Sequence, residues 1–315
     1  MLRFILKRVL QAIVVVIGVT IVVFVIIHQL PGGPARALLG NRASPAAIRA
    51  FTVQNGYNEP LPVQYWRYVD QLVHGNLGYS YYYNENVSSI LGQVLPKTAL
   101  LVGLAYVVAI IIAIPVGMFQ ALHRNKPVDH VLTVGSFVGF SMPTFWLGIL
   151  LIAIFAVGLG VLPSEAPQGT TLVGVLQDSR ALILPVATLA IVSIAQFSRF
   201  MRSSALTNLV QDFVRTAQAK GVSKRAVVWR HLLRNSLLPV ITLIGLSFPS
   251  LFAGAIVVES LFNYPGMGQL LFTATTVHDY PVLMGFTVVV GLATVTSSLV
   301  TDLLYAVVDP RIRYS

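Results

Sequence analysis

The sequence predicts an all-α integral membrane protein of about six transmembrane helices, with one large basic loop facing the cytoplasm. Three observations carry this. Of the 315 residues, 56% are hydrophobic and only 10% are charged, against roughly a quarter in an average soluble domain. Mean hydropathy is +0.78, more apolar surface than one soluble core of this size hides. Long apolar runs recur along the chain, each near the ~20 residues needed to cross a ~30 Å hydrocarbon layer.

The runs are Val9–Leu30, Thr98–Leu122, Val131–Leu159, Ala181–Ser198, Leu237–Phe262 and Val282–Val308. The first follows Arg3, Lys7 and Arg8 and is too long for a typical signal-peptide core. No small-x-small cleavage pattern follows it, so it reads as a retained helix. The third holds Pro143 within Ser141-Met142-Pro143, too short and apolar for an aqueous loop. It reads as one kinked helix, because neighbours in a membrane satisfy the freed carbonyl.

Charge orients these runs. Six spans place both termini on one side, and that side collects fifteen Lys and Arg against six on the other. Four of the six, Arg36, Arg42, Arg49 and Arg67, lie in a long outer loop, and long loops translocate largely regardless of charge. The richer side is therefore expected to be cytoplasmic. The formal net charge of +10 follows from this asymmetry and does not call for nucleic acid.

The chain divides into residues 1–30, an N-terminal segment with the first span; 31–96, an extracytoplasmic loop; and 97–315, a five-helix core that includes a cytoplasmic loop at 199–236. The outer loop carries an uncharged aromatic run, Tyr79 to Tyr83. It suits either an interfacial belt or a contact surface for an external partner.

The cytoplasmic loop has helix punctuation. Asp212 to Lys220 reads as a short helix, and Gly221 suits the left-handed position that ends one. Ser223 stands where an N-cap belongs, and Val222 and Val227 have hydrophobic-staple spacing. A second helix runs Lys224 to Asn235, with Ala226, Trp229 and Leu233 near one face and Lys224, Arg225 and Arg230 elsewhere. Such an elbow could lie on the anionic inner leaflet, enforce topology, or form a docking knob for a cytoplasmic protein.

Chemistry-bearing residues are sparse. With no cysteine, disulfides, thiolate metal sites and Cys nucleophiles are excluded. No H-E-x-x-H or G-x-x-x-x-G-K-[ST] pattern occurs, so no enzyme and no phosphate-loop ATP site is expected. Ionisable residues inside spans usually mark function. Gln196 and Glu259 are the candidates for pathway or external-partner contacts; His28 and Asp302 lie near span ends, where snorkelling is easy.

The stretch Phe213-Val214-Arg215-Thr216-Ala217-Gln218-Ala219-Lys220-Gly221-Val222-Ser223, followed by His231-Leu232-Leu233-Arg234-Asn235-Ser236-Leu237-Leu238-Pro239, resembles the coupling loop of ABC-importer permeases of the dipeptide/oligopeptide type. The resemblance covers nearly the whole chain. It includes Pro31-Gly32-Gly33-Pro34, Gly75-Asn76-Leu77-Gly78, the set Glu259, Phe262, Pro265, Gly266, Gly268, Asp279 and Pro281, and the tail Asp309-Pro310-Arg311-Ile312-Arg313-Tyr314. Arg215-Thr216-Ala217 stands where the wider family has Glu-Ala-Ala, and Gly33 and Asn76 stand where many relatives are acidic.

The resemblance implies a type I importer fold in a bacterial inner membrane. It implies a second permease beside this one, two ATP-binding subunits holding ATP and Mg below, and a substrate-binding lipoprotein above. Coupling would fall to Arg215, Thr216, Ala217, Lys220, Gly221, Val222, Ser223 and Lys224, with small Ala217 allowing close approach and no cofactor held by this chain. Peptide is the implied substrate; a nickel chelate or other small solute, or a stand-alone channel or secondary carrier, are the alternatives.

Overall fold

A computed structural model describes residues 2–40, 43–169, 171–247 and 255–308. Arg42, residues 248–254 of the fifth expected span and the tail Asp309 to Tyr314 lie outside them, as do the side chains of Arg3, Lys7, Arg8 and Asp302.

Helix α1 (Leu2–Gln29) is one long apolar rod. A 90° bend leads from it into α2 (Gly33–Leu39). Gly32 and Gly33, at φ +89° and +72°, make that corner, a conformation costly for residues with a Cβ. Helices α3 (Pro45–Gln54) and α4 (Leu61–Val73) follow, each opened by a proline in its first turn, where no N–H is needed. Helix α4 lies along the C-terminal half of α1. Tyr65 Oη and Thr20 Oγ1 are 2.9 Å apart, and His28 Nε2 is 2.8 Å from Gln64 Oε1. His28 thus bonds to Gln64 of α4 and, through Nδ1, to the Phe24 carbonyl at 2.7 Å.

A two-stranded hairpin, β1 (Tyr79–Ser80) and β2 (Glu85–Asn86), pairs Tyr79 with Asn86 and Ser80 with Glu85. Asn84 turns its corner at φ +55°. The chain then enters α5 (Val87–Leu122) directly. This helix starts eleven residues before the expected span at Thr98. Its first turns carry Ser88, Ser89, Gln93 and Lys97, so hydropathy missed them. At ~1.5 Å per residue a 36-residue helix outruns a ~30 Å hydrocarbon layer, and these polar turns project outward.

The expected single third span is broken rather than kinked. Helix α6 (Pro127–Ser141) and helix α7 (Thr144–Leu151), which continues as a π turn over Ile152–Gly158, meet at 105°. Met142 is extended, and Pro143 caps α7. Proline disfavours a helical conformation in the residue before it, which converts the kink into a corner.

After the short α8 (Leu172–Gln177) comes α9 (Ile183–Leu209), which forms with α5 the most extensive helix pair of the fold. Gly117 lets them touch: a Cβ there would stand 2.5 Å from the Ser198 carbonyl and 2.7 Å from Met201 Cβ. Beyond α9 lie α10 (Asp212–Ala219) and α11 (Lys224–Ala226), which passes through a π turn (Val227–Leu232) into α12 (Leu233–Ser236). Helix α13 (Leu238–Ser247) opens the fifth expected span. The next return is built by α14 (Ile256–Leu261) and α15 (Met267–Val277), and α16 (Tyr280–Val308) closes the chain against α1 and α13.

By length and apolarity, Val87–Leu122 and Ser179–Leu209 each suffice to cross a membrane, and the two bent pairs pass when each is taken as one span. That gives two to four crossings among the described residues. The expected fifth span runs into residues 248–254, and α16 is 29 residues long.

Candidate functional site: a capped elbow and an outer latch

The elbow between α10 and α11 is a Schellman turn joined to an N-cap. Gly221 has φ +77°. Its N–H donates to the Gln218 carbonyl at 2.9 Å, and the Val222 N–H donates to the Ala217 carbonyl at 3.2 Å. These are the two bonds that satisfy the last carbonyls of a helix ending on a left-handed residue. Ser223 then accepts the Ala226 N–H on its side-chain oxygen at 3.4 Å, and the Val227 N–H donates to its carbonyl at 2.9 Å. Both expected caps are present, and no residue is spare between them.

The elbow is bolted to the spans. Val214 and Ala217 of α10 and Val227 and Leu232 beyond the turn are buried against Met118 and Ala121 of α5, Met201 and Ala205 of α9, and Val240 of α13. Val222 packs on the same cluster, as the staple spacing predicted. Helices α5, α9 and α13 therefore share one apolar contact with the elbow.

The expected site residues separate onto two sides. Arg215, Thr216, Lys220, Gly221, Ser223 and Lys224 are exposed, and Val222 is half-buried. Ala217 is buried on the inner side; its small size lets α10 sit close to its own spans. Arg215 makes only a loose 3.9 Å pairing with Asp212, both well exposed, a contact worth little in water.

Trp229 differs from the sequence reading. The spacing puts it near one face with Ala226 and Leu233, yet its side chain is 57% exposed. The π turn explains this. It advances more residues per turn than an α-helix, so the inward positions become Val227 and Leu232, five apart. Trp229 is rotated outward beside Arg225 and Arg230, which are also exposed. An exposed Trp flanked by arginines has the composition of an interface anchor; helical-wheel counting at 3.6 residues per turn conceals it.

On the opposite end, Glu259 of α14 is completely buried. One carboxylate oxygen accepts the Thr98 hydroxyl at 2.7 Å, and the other accepts the amides of Gly268 at 2.6 Å and Gln269 at 3.2 Å. Thr98 in turn accepts the Met267 N–H at 2.7 Å. Glu259 therefore caps the N-terminus of α15, where free amides and the helix dipole favour an anion, and ties it to α5. A Cβ on Gly266 or Gly268 would stand 2.5 Å from the Glu259 carboxyl carbon or from the Ile256 Cα.

A second tie holds the tyrosine hairpin. The buried Ser80 hydroxyl donates to Asp279, whose other oxygen accepts the Val282 N–H at the start of α16. Tyr81 and Tyr82 at the hairpin tip are at least half exposed. Gln196 is half-buried in α9, beside buried Ala195 and Phe197, and makes no hydrogen bond among the described residues. Among those residues no group of His, Asp and Glu is arranged to hold a metal.

Long apolar helices, two bent helix pairs, a capped elbow at one end and a carboxylate latch at the other fit a multi-pass membrane protein, and the family match makes it a permease. The chain belongs to the family described as binding-protein-dependent transport system inner membrane component, whose pattern matches residues 113–314. The companion N-terminal pattern of such membrane components matches residues 1–102. It is therefore a permease subunit of ABC transporters. It is 38% identical to the oligopeptide transport system permease protein AppB of Bacillus subtilis (strain 168), over the whole of both chains. It is also 38% identical to the dipeptide transport system permease protein DppB of Alkalihalophilus pseudofirmus, again over both full lengths. The fold resembles a crystal structure of an amino acid ABC transporter with histidines, at TM-score 0.50 and 18% identity, covering 69% of this chain and 93% of that one.

Proposed function

We propose that this chain is one permease subunit of an ATP-driven peptide importer of a bacterial inner membrane, with both termini and the 199–236 loop in the cytoplasm. A second, homologous permease completes the pathway. Two ATP-binding subunits, which hold ATP and Mg, meet the elbow from below, and a substrate-binding lipoprotein docks on the outer face. The Lys and Arg asymmetry supports the orientation, and the peptide systems of the similar permeases support the substrate class.

The observation that carries the coupling role is the elbow's double attachment. Its exposed rim, with Arg215, Thr216, Lys220, Ser223, Lys224 and Trp229, is free to enter a partner's groove. Its buried face grips α5, α9 and α13 together. A push on a rigid, fully capped turn is therefore delivered to three spans at once. Close packing resists continuous deformation, so the spans respond by moving as bodies. Glu259 and Thr98 hold the outer return to α5, so that α15 follows when α5 moves.

Reconstitution tests this reading. The complex with its ATP-binding subunits, a second permease and binding protein should accumulate di- and oligopeptides in vesicles only when ATP is supplied. Uptake by this chain alone, driven by an ion gradient, would sink it in favour of a stand-alone carrier.

A further inference from the structure

The strongest feature outside the elbow and the latch is a cavity of about 340 Å³ between α5, α6 and α9, bounded by Gln120, Thr133, Phe137, Arg199, Arg202 and Ser203. Two arginines one helical turn apart meet there. Arg202 is satisfied: its Nε and one terminal nitrogen donate to the two oxygens of buried Asp129, each at 2.7 Å. Arg199 is not. Its guanidinium carbon lies 4.5 Å from the Phe137 ring centroid and 5.3 Å from that of Phe140. Among the described residues no carboxylate stands within ion-pair distance of it.

We propose that this cavity is a binding site for the headgroup of an anionic phospholipid of the cytoplasmic leaflet, with Arg199 as the main phosphate contact. Charge balance points to a single anion: two arginines and one aspartate leave one positive charge, matched by one phosphate diester. Arg199 stands where the span gives way to the cytoplasmic loop, half-buried and without a counter-charge among the described residues, the position from which an arginine meets a lipid phosphate. The two rings hold it in place by cation–π contact, so it cannot swing freely to water. Basic recesses between spans on the cytoplasmic side suit lipid headgroups, and the volume falls within the roughly 300–1,000 Å³ of small-ligand sites.

Gln120 forms part of the recess wall: it is almost wholly buried, and its amide nitrogen donates to Thr133 at 3.3 Å. The outer face of α6, with Val131, Val134 and Val138 exposed in helical register, offers a bed for the acyl chains.

The cytoplasmic placement rests on the orientation proposed above, but the test does not, because a nanodisc presents the same lipid in both leaflets. The purified complex with its partner subunits is passed through nanodiscs of phosphatidylglycerol or phosphatidylcholine, and retained lipid is counted by native mass spectrometry. Wild type should retain phosphatidylglycerol over phosphatidylcholine, and Arg199→Gln should lower that retention on the order of tenfold, the effect of ~1.4 kcal/mol. Equal retention by wild type and Arg199→Gln overturns the proposal. So does displacement of the lipid by millimolar inorganic phosphate, which would mark a free-anion site. Unchanged lipid retention with slower uptake of peptides bearing a free C-terminal carboxylate would assign Arg199 to the substrate pathway instead, and also overturns it.

Discussion

The carboxylate of Glu259 accepts the hydroxyl of Thr98 at 2.7 Å across 161 residues of chain, with both side chains fully buried. The same carboxylate receives two amides at the start of α15. One side chain thus replaces the local cap that Gly266, at the N-cap position of α15, cannot supply. It also explains why two glycines flank Met267. Either Cβ would occupy space taken by the carboxylate or by the α14 backbone.

Glu259→Gln keeps the shape but removes the charge and turns an N–H toward other N–H donors. A lost charged hydrogen bond costs about 1.5–3 kcal/mol. The expected outcome is a lower melting temperature of the purified complex and faster proteolysis within residues 263–280. Gly268→Ala should do at least as much harm, because its clash is with the Ile256 backbone and not with a flexible side-chain end. Unchanged melting and cleavage in both variants would refute the latch.

Gly221 is left-handed but uncrowded: a Cβ there would meet nothing within 4 Å. Its requirement is conformational, not steric. Gly221→Val should therefore strain the turn by about 1–2 kcal/mol and lower peptide uptake per ATP hydrolysed, with the protein still inserted. Gly221→Asn, which tolerates this conformation, should keep most of the coupling. Equal coupling in the valine variant and wild type would remove the elbow from the mechanism.

The two sides of α10 and its continuation predict opposite phenotypes. Ala217→Leu overfills the cluster joining α5, α9 and α13 and should destabilise the chain by about 1–3 kcal/mol, read as lower yield and melting temperature. Trp229→Ala touches an exposed side chain. It should leave melting unchanged while weakening co-purification of the ATP-binding subunits, as truncation of an interface anchor does, by about 2 kcal/mol or more. Loss of stability in Trp229→Ala with full retention of the ATP-binding subunits would contradict that assignment.

Asp129 closes the α5–α6 turn by accepting the Asn125 N–H at 3.0 Å and pins α9 through Arg202. Asp129→Asn leaves the guanidinium without its counter-charge, and breaking such a buried pair costs about 3 kcal/mol or more. The double variant Asp129→Asn with Arg202→Gln should recover part of that loss in a thermal-shift measurement. Strictly additive losses would show that the two side chains do not act as a pair.

The elbow was legible in the sequence because its determinants are local. Helix caps are satisfied by groups within five residues, so Asp212 to Val227 could be read from order alone, and Gly221, Val222 and Ser223 stand where that order put them. The membrane class was legible for a similar reason: apolar run length needs no partner. The 105° corner was half legible, since Pro143 marked its place but its angle depends on what α7 packs against. The side of the elbow on which Ala217 and Trp229 lie was not legible. Which face of α10 turns inward, and so buries Ala217, depends on where α5 and α9 lie; for Trp229 the π turn over Val227–Leu232 shifts the helical register.

Span length and helix capping are properties of neighbouring residues, so residue order alone specifies a membrane-spanning chain with a capped basic elbow, while the permease class rests on the match of its motifs to known permeases. Long-range packing sets the rest: Glu259 is an internal latch to Thr98, Arg202 is neutralised by Asp129 while Arg199 is held by two phenylalanines, and α5, α9 and α13 share one contact with the elbow. Those relationships join residues tens to more than a hundred positions apart. In a low-dielectric interior, the fold alone determines which buried charge meets which partner.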